Sequence, residues 1–135
     1  MLRRVSFQSS TPLRGAYEHF LTMPLMDGPA QKMLALLPGL ETMCEGLPVW
    51  GMTSHARLWL FPTDDMKARW AVLIDPVFGS TDYLVGYHVP ESHGSGLNDL
   101  NQAIASTPEE ALALIAVAMQ RSGGWAMSPT PPSAA

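Results

Sequence analysis

The sequence predicts an α+β domain: two N-terminal helices, a four- to five-stranded mostly antiparallel sheet, and a long C-terminal helix packed on the sheet. Three observations carry this. Proline-led, capped segments open and close the chain, short aromatic and branched runs alternate between them, and the final helical stretch is apolar all round. At 135 residues, with 47% apolar and 15% charged side chains, the chain is long enough to bury one core without disulfide or metal.

The first helix is read from "SSTPLRGAYEHFLTMP". Thr11 is the expected N-cap, Pro12 stands at the first helical position, Leu13, Ala16, Tyr17, Phe20 and Leu21 share one stripe, and Pro24 ends it. "DGPAQKMLALLPG" repeats the device, with Asp27 or Gly28 as cap and Pro38-Gly39 as the expected stop. A short helical turn is expected to follow through "LETMCEG".

Strands are expected at 47–52, 56–61, 69–74 and 82–89. Period-two alternation places Leu58 and Leu60 on one face with Trp59 and Phe61 on the other; Tyr83, Val85, Tyr87 and Val89 likewise oppose Leu84, Gly86 and His88. Both faces are substantially apolar, so both are expected to be covered. The stretch "LNDLNQAIAS" fits either a helix or an edge strand and is read as a short strand or irregular segment.

"STPEEALALIAVAMQRSGG" is the clearest element. Thr107 caps it, Pro108 opens it, Glu110 completes a capping box, Arg121 stands in the last turn and Gly123 stops it. Its apolar circumference requires cover on more than one side. An edge segment running into "TPEEAL" resembles the ending of many small bacterial and phage α+β proteins; no functional residue follows from that likeness. The domain is expected to span 1–124, with 125–135 a Pro/Ser/Ala-rich disordered tail, although Trp125 could fold back.

Charge is uneven. Residues 1–74 hold seven basic and six acidic side chains, whereas 75–135 hold only Arg121 against Asp75, Asp82, Glu91, Asp99, Glu109 and Glu110. Such a stretch is unsuited to tracking phosphates, so no nucleic-acid partner is expected and a basic protein suits it better. The competing expectation is that first-half basic residues fold back over these acids. The longest apolar run, "ALALIAVAM", is too short for a bilayer span, and the N-terminus lacks a signal-peptide apolar region, so a cytoplasmic protein with no membrane partner is expected.

Catalytic candidates are thin. His88, Glu91 and His93, with His55, could centre a small metal-dependent or hydrolytic enzyme, but neither C-x-x-C nor H-E-x-x-H is present. Cys44 lies beside Glu41 and Glu45, which disfavour a thiolate. Ser92 or Ser95 with His55 or His88 and Asp75 lacks a nucleophile elbow, and Asp64-Asp65 reads as turn chemistry. No cofactor is expected. Four tryptophans and nine methionines add adaptable contact area. The sequence therefore favours a non-enzymatic binding domain, an immunity protein or inhibitor that neutralises a toxin or effector. Its expected partner contacts are Asp75, Asp82, Tyr87, His88, Glu91 and Asp99. A homo-oligomer joined through the C-terminal helix is the further alternative.

Overall fold

The computed structural model describes residues 1–65, 69–89, 101–125 and 129–131. Its elements are β1 (Leu2–Arg4), α1 (Leu13–Phe20), α2 (Asp27–Met43), β2 (Val49–Ser54), β3 (Arg57–Phe61), β4 (Val72–Pro76), β5 (Tyr83–Tyr87), β6 (Asn101–Ala105) and α3 (Pro108–Ser122). The strands form one six-stranded sheet in chain order. β1 runs parallel to β2 and every other neighbouring pair is antiparallel, so the sheet is mixed. The α+β class holds. β1 is additional to the expected strands, because three residues are too few to display an alternation.

Register confirms the alternation. Leu58 pairs with Ile74, Leu60 with Val72, and Ile74 with Val85, which places these apolar side chains on one face. All three helices pack there, and Tyr17, Met33, Leu36, Leu37, Leu40, Ile115 and Met119 join that face in a single core. Trp59, Leu73 and His88 point to the opposite side. Trp59 and Trp70 meet edge to face with centroids 4.5 Å apart, and Trp70 lies 4.2 Å from the His88 ring. None of the three helices sits on this aromatic side.

Several helix boundaries differ from the sequence reading: α1 ends at Phe20, short of Pro24, and α2 is entered from Met26 with no side-chain cap, so neither Asp27 nor Gly28 caps it. Pro12 itself occupies the N-cap of α1, and no side chain caps that end. Thr11 lies one residue too early, with its carbonyl accepting from Arg4 Nη1. α2 runs straight through Pro38-Gly39 to Met43. An interior proline costs about 3 kcal/mol, but Leu36, Leu37, Leu40 and Met43 flank it and are buried, and each such side chain contributes about 1.5–3 kcal/mol on burial. Packing wins over propensity. Gly39 also has a use, since a Cβ there would come within 2.5 Å of Leu112 Cδ1; its absence lets α3 lie close against α2.

α3 begins and ends as its chemistry dictates. The Thr107 hydroxyl accepts from Glu110 N at 3.1 Å, the Glu110 carboxylate accepts from Ser106 N at 2.9 Å, and Gly123 adopts the left-handed conformation, φ 73°. Ala111, Leu112, Ile115, Ala116, Ala118 and Met119 are buried, whereas Val117 remains 41% exposed. Beyond the helix, Trp125 turns back into the core, and its Nε1 donates to the Pro48 carbonyl at 2.8 Å. Among the described residues no helix is long and apolar enough to cross a membrane.

Candidate functional site

The antiparallel pairing brings the β2–β3 turn, the β4–β5 turn and the β6–α3 junction to one end of the sheet. The β2–β3 connection is the two-residue loop His55-Ala56. His55 takes φ 54°, in the positive-φ region that tight two-residue hairpin turns use, and Ala56 O accepts from the buried Tyr17 hydroxyl at 3.0 Å. The N-terminus of α2 reaches the same end. Lys32, on its second turn, donates through Nζ to the carbonyls of Val77, Ser80 and Asp82. Its ammonium also sits 5.1 Å from the Tyr83 ring centroid, and the Tyr83 hydroxyl donates back to Lys32 O at 2.8 Å.

Lys32 therefore fixes the β4–β5 turn from beneath. Burial lowers its pKa, while the carboxylates of Asp82 and Asp75 act to raise it. The turn so held presents Phe78, which is 68% exposed. Beside it, a cleft of about 280 Å³ is lined by Met26, Pro29, His55, Arg57, Asp75 and Phe78. Leu25, next to Met26, is 74% exposed and takes φ 72°, a left-handed conformation that costs a leucine about 1–2 kcal/mol.

Asp75 lines that cleft with Phe78, and Asp27 at the start of α2, Asp82, and Glu109 at the start of α3 lie at the same end of the sheet. Glu109 is near enough to reinforce the rise in the Tyr83 pKa that burial causes first. Among the described residues, the lysine and arginine at this end are engaged. Lys32 holds the turn, and Arg57 Nε lies 3.3 Å from Asp75 Oδ2 in a half-exposed pair.

The residues expected from sequence thus separate. Asp75 and Asp82 belong to this end, Asp75 already bound to Arg57. Tyr87 lies on the helix-bearing face, against a groove beside α3. His88 is buried on the other face at the far end of β5. His88 and His55 lie at opposite ends of the sheet and do not converge. Glu91 and Asp99, with Ser92, His93 and Ser95, lie outside the described residues. Among the described residues no group of three or more His, Cys, Asp or Glu side chains could hold a metal.

First-half basic residues do fold back over part of the acidic second half, Arg57 onto Asp75 and Lys32 toward Asp82, but the opening arginines are not among them. Arg3, Arg4 and Arg14 instead line a separate cavity of about 460 Å³ between β1 and α1. Arg4 is committed there to Gln8, Thr11 O and Thr53 Oγ1, and burial lowers its pKa.

Comparison with protein-family models, with curated proteins and with solved structures gives no match to this chain. The contact set expected from sequence does not include Phe78, Leu25, Asp27 or Glu109, which lie at this end of the sheet. The signal for Phe78 was an aromatic inside the turn "VFGSTD", and for Leu25 an apolar residue between two prolines where no helix runs.

Cys44 is buried and its pKa is pushed up to about 12, by burial first, against an opposing effect of the N-terminal ammonium. Desolvation, rather than Glu41 and Glu45, sets its state. The thiol is expected to resist a thiol-reactive disulfide at pH 8 until the protein unfolds; rapid native labelling would contradict its burial. The folded pKa lies above the ordinary 9.0, so this group's contribution to stability is intact below about pH 9. It then falls by about 1.4 kcal/mol per pH unit toward pH 12, which denaturant melts across that range would register.

Proposed function

We propose that this chain is a non-enzymatic protein-binding domain, an immunity protein or inhibitor that neutralises a basic toxin or effector. Its contact surface is the end of the sheet carrying Phe78 and Leu25. The observation that carries this reading is two large, exposed apolar side chains, Phe78 and Leu25, at an end of the sheet that also bears Asp27, Asp75, Asp82 and Glu109, where among the described residues Lys32 and Arg57 are engaged. An aromatic anchor on a charged surface combines affinity from desolvation with orientation and on-rate from the field. The cleft beside Phe78 can receive an apolar side chain of the partner, with Asp75 and Arg57 at its edge.

The left-handed Leu25 fits the same reading, because strain at an exposed residue without packing to justify it suits a contact role. Leu25→Gly is expected to stabilise the isolated chain by about 0.5–1 kcal/mol in thermal or denaturant melts, while weakening partner binding. A loss of stability would mean that Leu25 serves the fold instead.

The functional test is affinity capture from native lysate, purification of the retained protein, and pairwise titration. A basic protein whose binding weakens with salt and with removal of these carboxylates is expected. Salt-independent binding, or binding indifferent to the carboxylates, would overturn the reading.

A further inference from the structure

The two edges of the sheet are unlike. β1 is three residues long and carries Arg3 and Arg4, features that discourage edge pairing. β6 is the opposite edge, and its five residues, "NQAIA", include no charge, proline or glycine. Asn101, Gln102, Ala103 and Ile104 are all exposed, Ile104 at 64%. Its inner side pairs with β5; its outer backbone groups have no strand against them among the described residues.

Above β6, α3 displays Glu110, Leu114, Val117 and Arg121, a single stripe by their spacing. A groove of about 270 Å³ separates helix from strand, with Ala103 below and Leu114, Val117 and Arg121 above. Ala103, the middle residue of β6, therefore lines one groove with Leu114 and Val117, the middle residues of the stripe. Each feature is self-complementary about its own centre. Turned through a two-fold axis, Glu110 faces Arg121 of the second copy and Leu114 faces Val117, while β6 meets β6 antiparallel with Ala103 on the axis.

We propose that a second copy of this chain docks on β6, joining two sheets into one continuous twelve-stranded sheet with a two-fold axis through Ala103. The charge pairing and the groove shared by the two centres select this occupant over a foreign strand. α3 lies over β5, so the two copies of α3 would stand about 14 Å apart, three strand spacings. That is too far for close helix packing, but within reach of Arg121 and Glu110 across the joined grooves. The contact uses the β6 edge, independently of the partner surface around Phe78.

Sedimentation equilibrium at about 100 μM tests the assembly, and engineered cysteines test its register. Residues on the axis face each other at about 5 Å, within a small adjustment of disulfide geometry. The wild type is expected at twice the 14.7 kDa chain mass. Oxidised Ala103→Cys is expected to cross-link into a covalent dimer and Ile104→Cys, opposite Gln102 of the second copy, is not. Ala103→Asp, which sets two carboxylates opposite each other, is expected to weaken association at least about tenfold with an unchanged circular dichroism spectrum. A monomeric wild type, cross-linking through position 104 but not 103, or a dimer indifferent to Ala103→Asp would each overturn the proposal.

Discussion

Replacing Trp125 with alanine is expected to destabilise the fold by about 3–5 kcal/mol, the largest effect of any single change considered. The indole is 7% exposed and belongs to the main core, although it follows the stop of α3 and opens what reads as a tail. Its Nε1 donates to Pro48 O, tying the end of the chain to the segment entering β2. Truncation leaves a cavity, frees the chain after Gly124, and strips Pro48 O of its donor. A domain of this size is stable by only about 5–15 kcal/mol, so the loss is a large fraction of the total. Denaturant melts would measure it. A change below 1 kcal/mol would mean that Trp125 rests on the core without contributing to it. Trp125→Phe is expected to recover most of the packing but not the hydrogen bond.

Phe78→Ala is the functional counterpart. Because its ring is 68% exposed on a turn held by Lys32, truncation is expected to leave folding stability within about 0.5 kcal/mol of wild type. If Phe78 anchors a basic partner, the same change is expected to cost at least about 2 kcal/mol of binding, roughly thirtyfold in Kd. Isothermal titration with the captured partner would separate the two effects. Lost stability with unchanged affinity would make Phe78 a structural turn residue. The pair of results is informative because a core residue shows the reverse pattern, as Trp125 should.

Legibility in the sequence followed the range of the forces involved. α3 was readable because its signals are local: Thr107, Pro108, Glu110 and Gly123 act within a turn of their own backbone. The faces of β3 and β5 were readable because alternation needs only the chain itself, and Tyr87 and His88, as neighbours on one strand, separate for that reason. α2 runs past the stop that Pro38-Gly39 signals, because burial of Leu37 and Leu40 against other elements outweighs a local penalty. β1 carried too few residues to announce itself.

The site was less legible still. Asp75 reads as an uncompensated acid along the chain, yet pairing of β3 with β4 sets Arg57 beside it. Lys32 and the β4–β5 turn stand about fifty positions apart in sequence, so nothing local marks the lysine as the prop beneath Phe78. Asp27 and Glu109 read as ordinary first-turn helix acids, and share one end of the sheet only because two helix starts meet there. Charge composition counts these groups, and topology decides which of them meet.

The most direct test of the binding reading is the affinity of the captured basic partner for the wild type and for a chain carrying Asp27→Lys, Asp82→Asn and Glu109→Lys, at about 50 mM and 500 mM salt. The expected result is tight, salt-sensitive binding by the wild type, with the variant weakened at least about tenfold at low salt and nearly insensitive to further salt. Equal affinities with equal salt dependence, in a variant that melts like the wild type, would contradict it.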